Sequence, residues 1–290
     1  MQNPFSYRRD DDERRILRIR RSSLLKVGLD ALDRPNITLA ASNEEYLQAF
    51  RLVHDAYLAA RYLARATPEG VYFNIHHLLP QTRVLLFNAH HTPLSTMTYI
   101  PDTPQFGLPL DAIFKRESDA LRRKGRKIVE IGSLAAAPQI RGANSIMLLA
   151  RAAFQLAVDT GADDICITIN PKHYRFYSSI FLFEPFGEKR HYDKVNAPAV
   201  ALRIDMRRIH RRLRALYGNL DRESNVHAFL IDNHDKSVRP PDLCSPLLTQ
   251  CLSQKREICE QLLASMPAGL TNRLEALRQC YAEWETAQRD

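Results

Sequence analysis

The chain has 290 residues, 45% of them hydrophobic, with 41 Lys and Arg against 33 Asp and Glu and a formal charge of +8. That length and apolar content support one large domain or a domain with an extension, and a buried core. The longest apolar run, 146–153, is broken by Arg151, far short of the roughly 18 residues of a spanning helix. The first 21 residues are dense in Arg and Asp and lack the apolar stretch of an export signal, so a cytoplasmic location is expected. The positive charge points to an anionic partner: nucleic acid, lipid or an acidic protein.

In chain order, 1–35 reads as a charged arm in which 14–21 is a strand or helix end packed on the body. Residues 36–41 form a first strand, and Ser42 with Glu45 supplies a capping box. Tyr46, Phe50, Val53, Tyr57 and Ala60 then recur at helical spacing. Strands at 83–87 and 94–100 form an antiparallel hairpin. A Pro- and Gly-containing loop, 101–108, leads to a short helix at 111–124 and a strand at 127–134. The helix 144–160 ends at Gly161, which suits a left-handed cap, and 164–170 alternates like a strand. A helix is expected from Pro171 to about residue 182, and a last strand at 199–205. The order β-α-β-β-β-α-β-α-β describes a mixed α/β (α+β) sheet with helices on both faces. Residues 206–290 read as a helical extension, in which Leu270, Leu274, Leu277, Tyr281 and Trp284 share one face.

The chemistry expected of this order is acyl transfer from a thioester to an amine. Glu130 is an acid inside the apolar strand Val129-Glu130-Ile131-Gly132-Ser133-Leu134, out of place unless it faces a cleft. Shielding from water raises a carboxyl pKa and makes it a base for an ammonium group. Gly132 marks a bulge that would free N–H groups around Leu134 and Ala136 to hold a thioester carbonyl. Gln139-x-x-Gly142-x-Asn144, with Arg141 inside it, opens the longest helix, where N–H groups and the helix dipole favour a phosphate. Tyr177, seven residues past Asn170, is the candidate acid for the departing thiolate. The five cysteines form no CxxC pair and are expected to stay thiols. The pairs His76-His77 and His90-His91 are read as non-metal residues, since adjacent side chains on a strand point opposite ways.

These motifs carry a resemblance. The stretch 144–183, read with Gln139 and Gly142, resembles the GNAT superfamily. More closely, Leu108-Pro109-Leu110-Asp111, Gly125-Arg126-Lys127-Ile128-Val129-Glu130, Asn170-Pro171-Lys172-His173-Tyr174-Arg175-Phe176-Tyr177 and Val195-Asn196-Ala197-Pro198-Ala199-Val200 resemble the N-acyl amino acid synthases of the FeeM type, over about 36–205. The resemblance implies a GNAT fold, no bound cofactor, a long-chain acyl group on acyl carrier protein, and an amino acid acceptor. It maps the family's strand acid to Glu130 and its Asn-Pro-x-His segment to Asn170, Pro171 and His173, with Ser133, His173 and Phe176 expected at the substrate. Two departures stand out: Asn144 replaces the third small residue of the loop, and Leu182 replaces the Gly before Phe183. The first favours carrier-bound phosphopantetheine over coenzyme A. In 206–216, Arg207, Arg208, Arg211, Arg212 and Arg214 fall on one helical side, a dock for an acidic carrier. The competing classes are a basic nucleic-acid-binding module, disfavoured by the lack of any recognition motif, and a silent acyl-binding protein on the same fold. Within the enzymes, an acyl-homoserine lactone synthase using S-adenosylmethionine ranks behind, because no Arg follows Glu130 in its strand.

Overall fold

The computed structural model describes residues 4–22, 25, 32, 35–90, 92–140, 144–232, 256 and 271–287. Its strands are β1 (Asn36–Leu39), β2 (Arg83–Ala89), β3 (Thr92–Pro101), β4 (Ile128–Ala136), β5 (Asp164–Ile169), β6 (Glu184–Pro185), β7 (Arg190–Tyr192) and β8 (Ala197–Asp205). They lie in the order β1-β2-β3-β4-β5-β8-β6, with β7 also on β8. Every pairing is antiparallel except β4 with β5. The helices are α1 (Pro4–Ser22), α2 (Asn43–Ala59), α3 (Asp111–Arg122), α4 (Ser145–Asp159), α5 (Tyr174–Ile180), α6 (Met206–Tyr217) and α7 (Thr271–Ala287). This is an open mixed α/β sheet with helices on both faces.

Alternation along the strands decides which helix covers which face. Leu85, Phe87, Val129, Ile165, Leu202 and Ile204 meet the buried side of α4, including Met147, Leu149 and Phe154. The opposite residues, Val84 and Leu86, pack on Phe50 and Ala49 of α2, while Ile128, Cys166 and Ala201 pack on Phe114 and Leu121 near α3. The capping box at α2 forms: Ser42 Oγ accepts the Glu45 N–H at 3.2 Å, and Glu45 Oε2 accepts the Ser42 N–H at 3.0 Å.

Several elements differ from the sequence reading. The arm holds one long helix, α1, whose Ile19 is buried and whose Arg18 donates to Ser179 Oγ at 2.7 Å. The expected helix from Pro171 is two pieces, a 3-10 turn at Pro171–His173 and then α5, because the Asn170 side chain caps the turn by accepting the Lys172 N–H. Strands β6 and β7 hold only two and three residues, too few to show a period. Helix α6 buries Ile209, Leu213 and Tyr217 against the body, and the Tyr217 hydroxyl donates to Ser179 O at 2.5 Å. In α7, Leu277 and Tyr281 pack on Ile75, Leu78 and Leu79. Of the breaker-rich 232–246 segment only Asp232 is described; 233–246, Leu270, the Leu274 side chain, Cys251 and Cys259 lie outside the described residues.

One end of the β4-β5-β8 group is clamped. Asp164, fully buried, accepts from both Arg126 and Arg203, and Arg126 Nη2 reaches Asp205 at 2.9 Å. At the other end β4 and β5 part company: their register stops at Glu130↔Cys166, while both strands continue.

Candidate active site

The gap between the parted strands is a cavity of about 120 Å³. Glu130, Gly132 and Ser133 line it from β4, and Thr168, Ile169 and Asn170 from the end of β5. Tyr57 of α2, the residues Tyr62, Tyr72, Asn74 and His77, Ile100, Pro109, and Tyr192 with Val195 and 197–199 close the remaining sides. Its volume falls below the roughly 300 Å³ of ordinary ligand sites, so it suits the small reacting end of a substrate.

Glu130 is 4% exposed. Its Oε2 accepts the Leu110 N–H at 2.7 Å, at the N-terminal end of α3, and Thr168 Oγ1 lies 3.4 Å from Oε1. Burial drives its carboxyl up to about 8; the Leu110 bond opposes that rise, and the neighbouring Asp111 adds to it. Around it the phenols are held neutral. Burial raises the Tyr57, Tyr72 and Tyr192 hydroxyls, and the Glu130 charge adds to the rise at Tyr57 and Tyr192. Tyr57 stacks obliquely on Tyr72 with centroids 4.9 Å apart and meets Tyr62 edge-on at 5.6 Å.

The expected bulge in β4 is present, but its left-handed residue is Ser133, with φ 50°, rather than Gly132. Across it, Thr98 pairs with Gly132 and Thr96 with Ala135. A Cβ on Gly132 would meet nothing within 4 Å, so its lack of a side chain leaves the cavity open and is no packing necessity. Leu134 and Ala136 are partly buried against the α4-side core.

Helix α4 begins after Asn144, which is left-handed at φ 54°. The second departure, Leu182, is left-handed too, at φ 59°. Both positions where this chain departs from a Gly-type pattern therefore keep the conformation glycine favours. Asn tolerates it through its short polar side chain. Leu182 is 3% exposed, and burial of its side chain, worth about 2 kcal/mol, offsets a strain of about 1–2 kcal/mol. Gln139 is exposed in the turn Pro138–Ile140; Arg141 and Gly142 lie outside the described residues.

Of the sequence candidates, the cavity gathers Glu130, Ser133 and Asn170. Tyr177 is not among its lining residues. It packs edge-on to Phe176 at 5.2 Å and Phe183 at 5.9 Å, and burial pushes its hydroxyl up to about 12. Phe176 belongs to the same aromatic group, and His173 is exposed at the start of α5, its pKa lowered by partial burial and Lys172. Sequence reading missed Tyr62, Tyr72, Asn74, His77 and Tyr192, and placed Tyr57 only as an apolar helix position. The one available signal was the density of Tyr and His in 57–77. Larger clefts of about 790 and 770 Å³ lie away from Glu130, one beside Asp102, Arg122 and Arg126, the other between α1 and α6. Ion pairs such as Arg122 with Asp102 and Arg212 with Glu184 already occupy their polar walls. No group of three metal-ligating side chains occurs among the described residues.

An open sheet that splits beside a buried carboxylate, with the apolar helix α4 following the split strand, is the frame of a GNAT-fold acyltransferase. The sequence profile described as N-acyl amino acid synthase FeeM matches residues 48–205, more than half of the chain. The chain belongs to that family and is an N-acyltransferase. It is similar to the solved structure of FeeM, an N-acyl amino acid synthase from uncultured soil microbes, at 29% identity and a TM-score of 0.55, over 61% of this chain and 94% of that one. The CoA-dependent acyl-homoserine lactone synthase BjaI shares the fold, at 18% identity and a TM-score of 0.51, over 75% of this chain and 98% of its own. No protein with a curated description matches the sequence. Among the described residues no helix is long and apolar enough to cross a membrane.

Proposed function

We propose that the protein moves a long-chain fatty acyl group from an acyl carrier protein thioester to the amine of an amino acid, in the bacterial cytoplasm, giving an N-acyl amino acid. The observation that carries this reading is Glu130: a buried carboxyl, raised to about 8, in a small cavity at the split between β4 and β5. Its pKa is close enough to that of an ammonium group for efficient proton transfer. Glu130 takes the proton, the free amine attacks the thioester carbonyl and makes the C–N bond, and collapse of the tetrahedral intermediate breaks C–S as the nitrogen gives its second proton to water. Tyr177 is the proposed proton donor to the thiolate. Leu134 and Ala136 are proposed to hold the thioester and pantetheine by their backbones, with the phosphate at Gln139, Arg141, Gly142 and Asn144. Asn170, Ser133, His173 and Phe176 are proposed to contact the substrates. We take 36–205 as the catalytic unit, with 1–35 as arm and 206–290 as extension.

Among the described residues no Lys or Arg lines the cavity, so we propose that the acceptor's carboxylate stays outside it. Lys172 is the cation proposed to meet that carboxylate: it is exposed, with its Nζ 5.9 Å from the centroid of the lining residue Tyr62. Lys172→Gln is expected to raise KM several-fold for an amino acid and to leave KM for its methyl ester unchanged; equal rises for both would remove this role. Tyr177→Phe keeps the ring and loses the hydroxyl. It should slow a chemistry-limited assay by a modest factor, because a pantetheine thiolate leaves readily, and an unchanged rate would count against the acid role. The reading as a whole is tested by expressing the protein in a bacterium and examining lipid extracts by mass spectrometry. New N-acyl amino acids, with head group and chain length read from their masses, are the expected result. Acyl-homoserine lactones instead would move the protein to the neighbouring enzyme class.

A further inference from the structure

Glu130 and Gly132, two residues apart, face the cavity by ordinary strand alternation. Ser133 should then face away. The bulge turns it back, so that it lines the same cavity three residues after the base, in a left-handed conformation, φ 50°, that strains a non-glycine residue. A single contact explains what holds it there. His77 Nε2 lies 2.7 Å from Ser133 Oγ, and the imidazole is 1% exposed, with Phe50 edge-on to its ring at 5.5 Å.

The other ring nitrogen fixes the direction of that bond. His77 Nδ1 accepts the backbone N–H of Asn74 at 3.1 Å and so carries no proton. Asn74 Oδ1 is also 3.0 Å from Nδ1, but it already accepts the His76 N–H at 3.0 Å, and a proton on Nδ1 would take the partner from the Asn74 N–H. The proton therefore sits on Nε2 and is donated to Ser133 Oγ. His77 does not act as a base toward Ser133. The Ser133 O–H proton is left to point into the cavity as a polarised, neutral donor.

A permanent anion would be poorly matched to this donor, because Glu130 is close along the strand and, among the described residues, no Lys or Arg lines the cavity. A charge that exists only in the transition state is well matched. We infer that Ser133 donates to the oxyanion of the tetrahedral intermediate and that His77 is its positioning residue. As the amine nitrogen bonds to the thioester carbon, the carbonyl π pair moves to oxygen, which accepts the Ser133 hydrogen bond. No proton is transferred, and the pair returns as the thiolate leaves. The inference rests on the thioester-to-amine reading above.

The test uses the full chain, a short acyl-pantetheine thioester and the amino acid found in the lipid extracts. Ser133→Gly removes the hydroxyl and relaxes the left-handed backbone, so thermal stability should hold or rise while kcat falls about 10²-fold with both KM values unchanged. His77→Gln should lower kcat as well, and the double variant should be no slower than Ser133→Gly alone, since His77 acts through the hydroxyl. Unchanged kcat in Ser133→Gly, a rise in KM for the amino acid alone, or additive losses in the double variant would each overturn the assignment. Parent protein that forms no amide from this thioester would instead overturn the reading on which it rests, and the assignment with it.

Discussion

Glu130→Gln is expected to lower turnover by about 10²-fold or more, the scale of losing a general base, in a protein that still folds. The amide keeps the carboxyl's shape and retains an oxygen to accept the Leu110 N–H, now made at 2.7 Å. What it loses is the capacity to take a proton. In the parent, kcat/KM should climb as pH rises through about 8, where the raised carboxyl ionises, and the Gln variant should lack that limb. Stability moves the opposite way. A carboxyl whose folded pKa is raised from an ordinary 4.5 to about 8 contributes fully below 4.5, and that contribution is lost as pH rises through 8. The loss has a ceiling of about 1.4 kcal/mol per pH unit in that window. Denaturant melts at pH 5 and pH 8 should therefore show a falling parent and a flatter Gln variant, with the variant at least as stable at pH 8. Near-parental turnover in a folded Gln variant would make Glu130 a structural residue; a parent whose stability is flat between those pH values would deny its raised pKa.

How much of this was legible depends on how local each signal is. Strand alternation in 164–170, the hairpin strand at 83–87, the Ser42 and Glu45 cap, and the acid Glu130 inside an apolar strand are all properties of a few neighbouring residues, and the structure shows the corresponding elements. The rest of the cavity is assembled across the chain. Tyr57 repeats like any apolar residue on α2, and only the fold turns it toward Glu130 beside Tyr72 and Tyr192. His77 earned no role from sequence, because its significance is a contact with Ser133, 56 positions away. The bulge was readable from Gly132, yet the positive φ falls one residue later, on a serine that no backbone preference singles out. Helix α6 was readable as two-sided, and its buried Ile209 and Leu213 follow that pattern.

The exposed side of α6 leads to the remaining large effect. Arg207, Arg208, Arg211 and Arg214 all face solvent, but they are not equivalent. Arg207 Nε is bonded to Asp163 at 2.7 Å, and Arg208 lies 3.9 Å from Asp205, so reversing either would set two acids against each other near the start of the helix. For Arg211 and Arg214 no ion pair is seen among the described residues, which makes them the clean probes of carrier docking. Reversing both to Glu changes the local charge by four units. Steering by surface charge acts mainly on association and is screened over about 8–10 Å at physiological salt. Arg211→Glu with Arg214→Glu should therefore raise KM for acyl carrier protein about tenfold at low ionic strength, with the gap closing as salt is added. Turnover at saturation, thermal stability and activity on an acyl-pantetheine mimic should stay at parental values. Equal loss on both donors would mean that α6 only supports the fold. If acyl-coenzyme A outperforms the carrier-bound donor in the parent, the carrier is the wrong donor, and the left-handed Asn144 at the head of α4 serves a pyrophosphate as glycine would.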